Sequence, residues 1–387
     1  MSADAVVSRK GAHRWASGHP WIYRSDVSRR PDAPAGAVRV RDASRRPLGW
    51  ALWSPASEIS LRLLDPRADA VIDAAWWSER LRASAGRRSP LVGETSAWRV
   101  VHAEADGCPS LVVDRYDRWV VVQLLSAGLE AFRGVIVRAL GDLLAPAGVL
   151  ARHDVAVRAK EGLARETELL AGDVPREIEV QEHGVRYLAA PWDGQKTGAF
   201  LDQRENRVAA GRLARGRALD CFSYHGSFAL HLAQRAERVT AVDSSAAALA
   251  RARENAERNG IDTIDFVEAD AFAFLREAEG RGERYDTIVL DPPAFAKTRS
   301  ALAPALRGYK EINLRAMRLL APGGTLFTAS CSFHLSKALF LEMLARAAAD
   351  SGRRMTLRQL LGQPLDHPEV LTIPETGYIK AAVVEAE

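Results

Sequence analysis

Cysteine is scarce in this chain of 387 residues: there are three, at positions 108, 221 and 331. An odd number at wide, irregular spacing makes neither a disulfide framework nor a zinc site, and no metal is expected. No apolar run approaches the roughly 20 residues that a membrane-spanning helix needs, so no membrane partner is expected either. The opening stretch MSADAVVSRKG lacks the apolar centre of a secretory signal, and a reduced, cytoplasmic setting is the expectation. A GxGxxG turn and a Walker lysine are also missing at the one strand-to-helix turn where they would matter, which disfavours a dinucleotide or a nucleoside triphosphate. What remains is ordinary globular material. With 47% hydrophobic and 26% charged residues the chain can build large cores, and its length predicts two or three domains.

Net charge is only +4, but it is unevenly placed. Residues 1–100 carry 17 Lys plus Arg against 10 Asp plus Glu, so the remainder is acidic overall. The N-terminal part is therefore expected to meet an anion, nucleic acid being the usual one, unless Arg serves only as a generic surface residue. Residues 1–72 read as a small β-rich module, with short apolar runs at 37–40, 48–53 and 59–64 between Pro-, Gly- and Asp-containing turns. Lys10 and Arg14 alternate there with Trp15, Trp21 and Tyr23. Guanidinium groups beside aromatic faces suit phosphate contact and base stacking, although most of the Trp residues are needed as core in so small a module.

Residues 73–188 form a second unit. An amphipathic stretch at 70–81 leads into a strand meander at 98–102, 111–114 and 119–126, then a helix-period segment at 129–144 and a strand at 148–152. Cys108 lies in a turn without a charged partner at catalytic spacing and is expected to be idle. A hairpin at 176–187 follows, and then the polar loop APWDGQKTGAFLDQRENR at a helix entry.

Residues 189–387 carry the chemistry. Between 217 and 332, strand-like runs end at Asp220, Asp243, Asp270 and Asp291, and a fifth ends at Ser330-Cys331-Ser332; helix-period segments lie between them. Strand and helix alternating at this spacing predict an α/β domain with a mostly parallel sheet and a ligand at the carboxyl edge. The first turn, CFSYHGSF, has the single glycine Gly226, enough for close backbone approach but not for a pyrophosphate cradle. A ligand with adenosine and no phosphates fits better. Asp243 is placed for the ribose hydroxyls, Asp270 for an exocyclic amine, and Asp220 for an ammonium- or sulfonium-bearing chain; three carboxylates suit a cationic cofactor. S-adenosylmethionine has these features, whereas the plain alternative is that each carboxylate caps a helix. Asp291-Pro-Pro makes a rigid turn. Cys331 suits methylation at a pyrimidine C5, because thiolate attack on C6 makes C5 electron-rich; a helix N-terminus at 332–336 would raise the thiolate fraction. Cys221 reads as packing.

These stretches, together with GHPWIY, GWALWSPASEISLRLL, EADGCPSLVVDRY, QKTGAFLDQR, DPPAFAK, RGYKEINLRAM, FTASCS and DHPEVLTIPETGYIK, resemble the RlmI-like class I methyltransferases, which form 5-methylcytosine in 23S ribosomal RNA. The resemblance spans essentially the whole chain. It implies a PUA-like RNA-binding module, a central α+β domain and a Rossmann-like methyltransferase domain with a mostly parallel seven-stranded sheet. By position it implies Cys331 as nucleophile and Asp291 near the target base. Gln203, Asp220, Phe222, Ser223, Gly226, Asp243, Ser244, Asp270 and Asp291 would line the S-adenosylmethionine pocket. Phe295 or Tyr309 would face the base, and Lys297, Arg307 and Lys310 would meet phosphates from a loop after Asp291. Gly226-Ser227 stands where relatives often have two glycines. A related branch that methylates guanine N7 lacks the cysteine, and the two-cysteine 5-methylcytosine enzymes have one after DPP; neither pattern is present here. The expected partners are large-subunit ribosomal RNA and a second copy of the chain in a homodimer. The rival readings are a methyltransferase for guanine N7 or an exocyclic amine with Cys331 structural, and a non-catalytic RNA-binding protein.

Overall fold

A computed structural model describes residues 4–296 and 298–387. The chain divides into two compact units. One gathers the chain up to Val180 with Ala189–Leu201 and Leu365–Thr376; the other comprises Gln181–Leu188, Asp202–Pro364 and Gly377–Glu387.

The first unit contains two sheets. Strands β1 (Asp4–Val7), β2 (Trp21–Ile22), β3 (Val27–Arg29), β4 (Gly36–Arg41), β5 (Pro47–Trp53) and β6 (Leu61–Asp65) form a six-stranded sheet in the order β2-β6-β5-β4-β1-β3. Alternation in β4 turns Val38 and Val40 into the core and leaves Arg39 outside, as the two-residue period of a strand requires. Trp15, Ile22, Ala51, Trp53 and Leu61 complete that core. Trp15 comes from an element that composition hid, helix α1 (Arg9–Ala16), which starts where the Ser8 side chain accepts the Gly11 N–H. The second sheet, β7 (Ala97–His102), β8 (Leu111–Tyr116), β9 (Trp119–Leu124), β10 (Gly148–Arg152) and β11 (Thr167–Gly172), runs β11-β10-β9-β8-β7. Helices α2 (Ala74–Gly86), α3 (Ala127–Glu130), α4 (Arg133–Leu144) and α5 (Ala156–Lys160) accompany it. Trp76, Trp77 and Leu81 of α2 and Ile136 and Leu140 of α4 pack with Val113, Val120 and Val122. The expected helix at 129–144 is thus two helices, broken at Ala131 and Phe132.

The second unit opens within the hairpin β12 (Ile178–Glu182) and β13 (Val185–Ala189), of which Gln181–Leu188 belong to it. Its main sheet has seven strands: β14 (Arg217–Cys221), β15 (Arg238–Asp243), β16 (Ile264–Glu268), β17 (Tyr285–Leu290), β18 (Leu320–Ser330), β19 (Met355–Leu361) and β20 (Lys380–Ala386), in the order β16-β15-β14-β17-β18-β20-β19. Only β20 runs antiparallel to its neighbours. Helices α6 (Arg204–Leu213), α7 (Ser227–Ala233), α8 (Ala246–Arg258), α9 (Ala271–Gly280), α10 (Leu302–Leu319) and α11 (Lys337–Ser351) complete the alternation. The strand order reverses between β14 and β17. In such sheets the crevice outside the strand ends at that reversal is where ligands bind. Register puts Asp220 of β14 opposite Val289 of β17, and Cys221 opposite Leu290, so Asp220 and Asp291 flank the reversal.

A buried ionic knot ties the hairpin to two helices. Arg207 of α6 donates to both carboxylate oxygens of Glu182 at 2.7 and 2.6 Å. His231 of α7 lies 3.1 Å from one oxygen, and the Tyr187 hydroxyl donates to the other at 3.1 Å. Burial alone would raise the Glu182 pKa, but the Arg207 charge and these hydrogen bonds outweigh it and hold the carboxyl well below its ordinary range. The stability this provides is present above the unfolded-state value of 4.5 and is lost as pH falls towards the lower folded value. Arg207→Met leaves a buried carboxylate without its main counter-charge. It is expected to cost about 3–5 kcal/mol in urea unfolding at pH 8, with a smaller deficit at pH 5, where Glu182 takes up a proton in the variant.

Candidate functional site

Three of five consecutive residues after β14 have a left-handed backbone: Phe222 (φ 66°), Tyr224 (φ 51°) and Gly226 (φ 77°). For the two that carry a Cβ this costs roughly 1–2 kcal/mol each. Hydrogen bonds hold the turn: Ser223 N–H to Val242 O at 3.0 Å, Gly226 N–H to Ser223 O at 2.9 Å, and Tyr224 N–H to Asp243 Oδ2 at 2.8 Å. Gly226 is required twice over, since besides its φ a Cβ there would stand 3.0 Å from the Ala252 Cβ of α8. The turn therefore packs on α8 and delivers the N-terminus of α7 to the carboxyl edge.

Asp220 is fully buried at the tip of β14. Its Oδ2 accepts the Ser223 hydroxyl at 2.7 Å and the Ala229 N–H at 3.0 Å. Its Oδ1 is buried and has no hydrogen-bond partner among the described residues. Burial, with a further push from the Asp291 charge, raises its pKa to about 7 despite the Ser223 bond. An orphaned, desolvated carboxylate oxygen lacks a cation or donor, and the ammonium-bearing, sulfonium chain of S-adenosylmethionine is such a partner. The residues present fit that cofactor.

The other carboxylates of the edge are shared between structure and availability. Asp243 accepts Tyr224 N–H on Oδ2 and Ser245 N–H on Oδ1, the latter at 2.9 Å, which leaves lone pairs on each oxygen, and Ser244 beside it is exposed. Asp270 is exposed and caps α9 through Oδ1, accepting Ala273 N–H at 2.9 Å. The capping alternative is thus real for Asp270, with its second oxygen left over. Asp291 Oδ1 accepts the Gln203 Nε2–H at 2.7 Å, while Gln203 Oε1 accepts from Asn206 at 2.5 Å. From the N-cap position of α6, Gln203 thereby fixes the first residue of the DPP turn, a link between positions 88 residues apart that no local pattern announces.

Cys331 follows β18 and is half-buried, whereas Cys108 and Cys221 are fully buried. Burial pushes the Cys108 thiol up to about 12 and that of Cys221 well above its ordinary value. The helix N-terminus expected at 332–336 falls at the far end of that range: Ser336 is the N-cap of α11, and residues from Ser332 to Leu335 form a turn closed by Leu335 N–H to Ser332 O at 3.1 Å. Cys331 is therefore not in a first helical turn.

The basic loop expected after Asp291 is largely helix. Arg307, Tyr309 and Lys310 lie on α10, because Ala305, Tyr309, Ile312 and Ala316 bury one face of it. Arg307 is exposed, Lys310 pairs with Asp350 of α11 at 2.5 Å, and Lys297 lies outside the described residues. Tyr309, expected to face a base, is 1% exposed. Its hydroxyl instead joins Ser330 Oγ at 2.9 Å and Ser332 Oγ at 2.8 Å, and receives the Phe295 N–H at 3.4 Å. Ser332 Oγ also accepts the Ala296 N–H at 3.2 Å. Tyr309 thus braces the cysteine turn against the DPPAF segment. The half-buried Phe295 ring lies 4.6 Å from Tyr309, with Phe272 at 5.9 Å and Phe222 at 6.4 Å. In the first unit, Lys10 is 72% exposed and 3.8 Å from Asp26, and the Arg14 guanidinium stacks 4.5 Å over Tyr23 while standing 3.9 Å from the same carboxylate.

Asp220→Asn tests the orphaned oxygen. Because the folded pKa is raised, burying Asp220 costs stability that grows as pH rises from about 4 to about 7. The variant is expected to unfold at a higher temperature than the wild type at pH 8, with the gain fading towards pH 4. Titration calorimetry is expected to show S-adenosylmethionine binding at least tenfold weaker.

Comparison with known proteins matches this geometry. A family model described as S-adenosylmethionine-dependent methyltransferase covers residues 121–380, and one described as a PUA-like domain covers residues 6–66. A protein of Aeromonas salmonicida named Ribosomal RNA large subunit methyltransferase I is 40% identical over 377 residues, covering 95% of both chains. One of the same name from Tolumonas auensis is 40% identical over 396 residues, covering 100% of both. Among solved structures, a putative methyltransferase from Streptococcus mutans superposes with a TM-score of 0.82 at 20% identity, and a putative methyltransferase complexed with SAH with 0.85 at 20% identity, each over 100% of both chains. At that identity they speak for the fold, a class I methyltransferase fold behind a PUA-like domain. The chain belongs to the S-adenosylmethionine-dependent methyltransferase family, alongside relatives named Ribosomal RNA large subunit methyltransferase I.

Proposed function

We propose that this protein methylates C5 of a cytosine in large-subunit ribosomal RNA through a covalent adduct between Cys331 and C6 of the base. The observation that carries the reading is Cys331 itself, a half-buried thiol at the carboxyl edge that bears Asp220 and Asp291, in a chain whose other two cysteines are sealed in cores. The names of the full-length relatives support the RNA.

Asp220 would hold the charged amino-acid end of the cofactor, Asp243 the ribose and Asp270 the adenine amine, with Gln203, Phe222, Ser223, Gly226 and Ser244 around them. Bound there, S-adenosylmethionine supplies an electrophilic methyl group on a sulfonium. A cytosine flipped from its stack enters the same edge and packs against Phe295. The Cys331 sulfur adds to C6, forming an S–C6 bond and moving the C5–C6 electron pair to C5. Asp291, steadied by Gln203, would enter this step in its carboxylic-acid form and pass its proton to N3, so that the ring does not carry a full negative charge, and would take it back when the double bond re-forms. After C5 is methylated, a base removes its proton, the double bond re-forms and the S–C6 bond breaks, returning the thiolate. Residues 1–72 serve as the RNA-binding module, 73–188 as the central domain and 189–387 as the methyltransferase domain, with Lys10, Arg14 and Arg307 as phosphate contacts.

Transcripts of the ribosomal RNA carrying 5-fluorocytosine, incubated with S-adenosylmethionine, are expected to trap a covalent complex that Cys331→Ala abolishes. Methylation by that variant on ordinary RNA is expected to fall on the order of 10³-fold or more; unchanged methylation would sink the adduct. For the N-terminal module, Lys10→Ala and Arg14→Ala are each expected to flatten the slope of log affinity against log salt by about 0.7–0.9, read in filter-binding titrations. An unchanged slope removes those residues from the RNA interface.

A further inference from the structure

The strand next to Cys331 carries a buried lysine for which the reaction above has no use. Lys380 is the first residue of β20, 5% exposed, in a strand otherwise of Ala, Val and Glu. Register places it opposite Ser330 of β18. Its ammonium donates to Ser332 O at 2.7 Å and to Tyr378 O at 2.9 Å. A side chain that starts opposite residue 330 and ends on the carbonyl of residue 332 runs alongside the backbone of residue 331. Its origin is itself pinned. Gln363 Oε1 accepts Tyr378 N–H at 2.6 Å and Ile379 N–H at 3.3 Å, and the Tyr378 hydroxyl donates to Asp202 at 2.8 Å.

Taking an ammonium out of water is costly, and packing alone would be served better by an apolar side chain such as the Ala and Val that follow it in β20. A positive charge beside a thiol favours the thiolate, and the N-cap of α11, Ser336, lies five residues beyond Cys331. Among the described residues, Lys380 of β20 and Tyr309 of α10 bond directly to the turn, and His334 lies on it. The phenol of Tyr309 is raised by burial, its bonds to Ser330 and Ser332 lowering it and the neighbouring Cys331 adding a small further rise, so it stays neutral. Lys380 brings a cation into direct contact with the turn.

We infer that Lys380 is a positioning residue for Cys331, its ammonium holding the turn by the Ser332 carbonyl and biasing the adjacent thiol towards the thiolate. The inference rests on Cys331 being the nucleophile, but its test involves neither RNA nor methyl transfer. The full chain is alkylated with iodoacetamide at a series of pH values, and Cys331 is followed by peptide mass spectrometry; Cys108 and Cys221, being fully buried, stay silent in the folded protein. The wild-type rate is expected to inflect below the ordinary thiol value of about 8.5. Lys380→Met is expected to move the inflection up by about one unit or more, leaving roughly tenfold less thiolate at pH 7, and Lys380→Arg is expected to restore most of it. Simple loosening of the turn would change the plateau rate and leave the inflection in place. An unchanged inflection in a Lys380→Met protein that still binds S-adenosylmethionine overturns the inference. So does a wild-type inflection at or above 8.5, which needs no variant to fold. If fluorocytosine RNA forms no adduct while the inflection shifts as expected, the cytosine reading fails and the Lys380 assignment stands.

Discussion

A single desolvated carboxylate sets the terms for the methyltransferase unit. Asp220 must be buried, because β14 is an interior strand at which the sheet reverses its order, and its tip is walled by β15 and β17. One oxygen is consumed in shaping the turn through Ser223 and Ala229; the other is left without a bond. The same group therefore builds the pocket and keeps it hungry for positive charge. Left-handed Phe222 and Tyr224 and the glycine pressed on Ala252 exist to bring the chain around that carboxylate. In the empty protein this arrangement is a stability debt, offset when a cation arrives.

Around it the fold spends charge in closed circuits. Glu182 with Arg207, His231 and Tyr187, and Asp106 with Arg88 at 2.6 Å, are buried and fully engaged. Such pairs fix geometry more than they add net stability. Asp220 differs in being buried and half-engaged, and that difference separates a ligand-seeking group from a structural one more clearly than burial does.

The strand ends were legible because a parallel sheet writes them as apolar runs closed by a polar residue, so Asp220, Asp243, Asp291 and Cys331 fall on one edge from spacing alone. Helix α1 was hidden because its eight residues hold Arg, Lys and His among few apolar ones, and the cue was only the Ser8 cap. Helix α10 is masked by its basic residues, although Ala305, Tyr309, Ile312 and Ala316 recur at helical spacing. Tyr309 and Lys380 could not be read locally: one meets Ser330 and Ser332 from another layer, the other reaches Ser332 across an antiparallel register separated by 48 residues. Cysteine chemistry alone suggests a pyrimidine C5; the reading of cytosine and of ribosomal RNA rests on resemblance.

The placement of β20 has a consequence for how the molecule assembles. It is later in sequence than both strands it separates, β18 and β19. Until it inserts, each of those presents a row of unpaired amides and carbonyls, the template on which chains aggregate. Its contacts with β18 close a loop of some fifty residues, a slow kind of pairing. Folding of this unit should therefore pass through a stage with an open slot in the sheet, and that slot is the part most exposed to a neighbouring chain's strand.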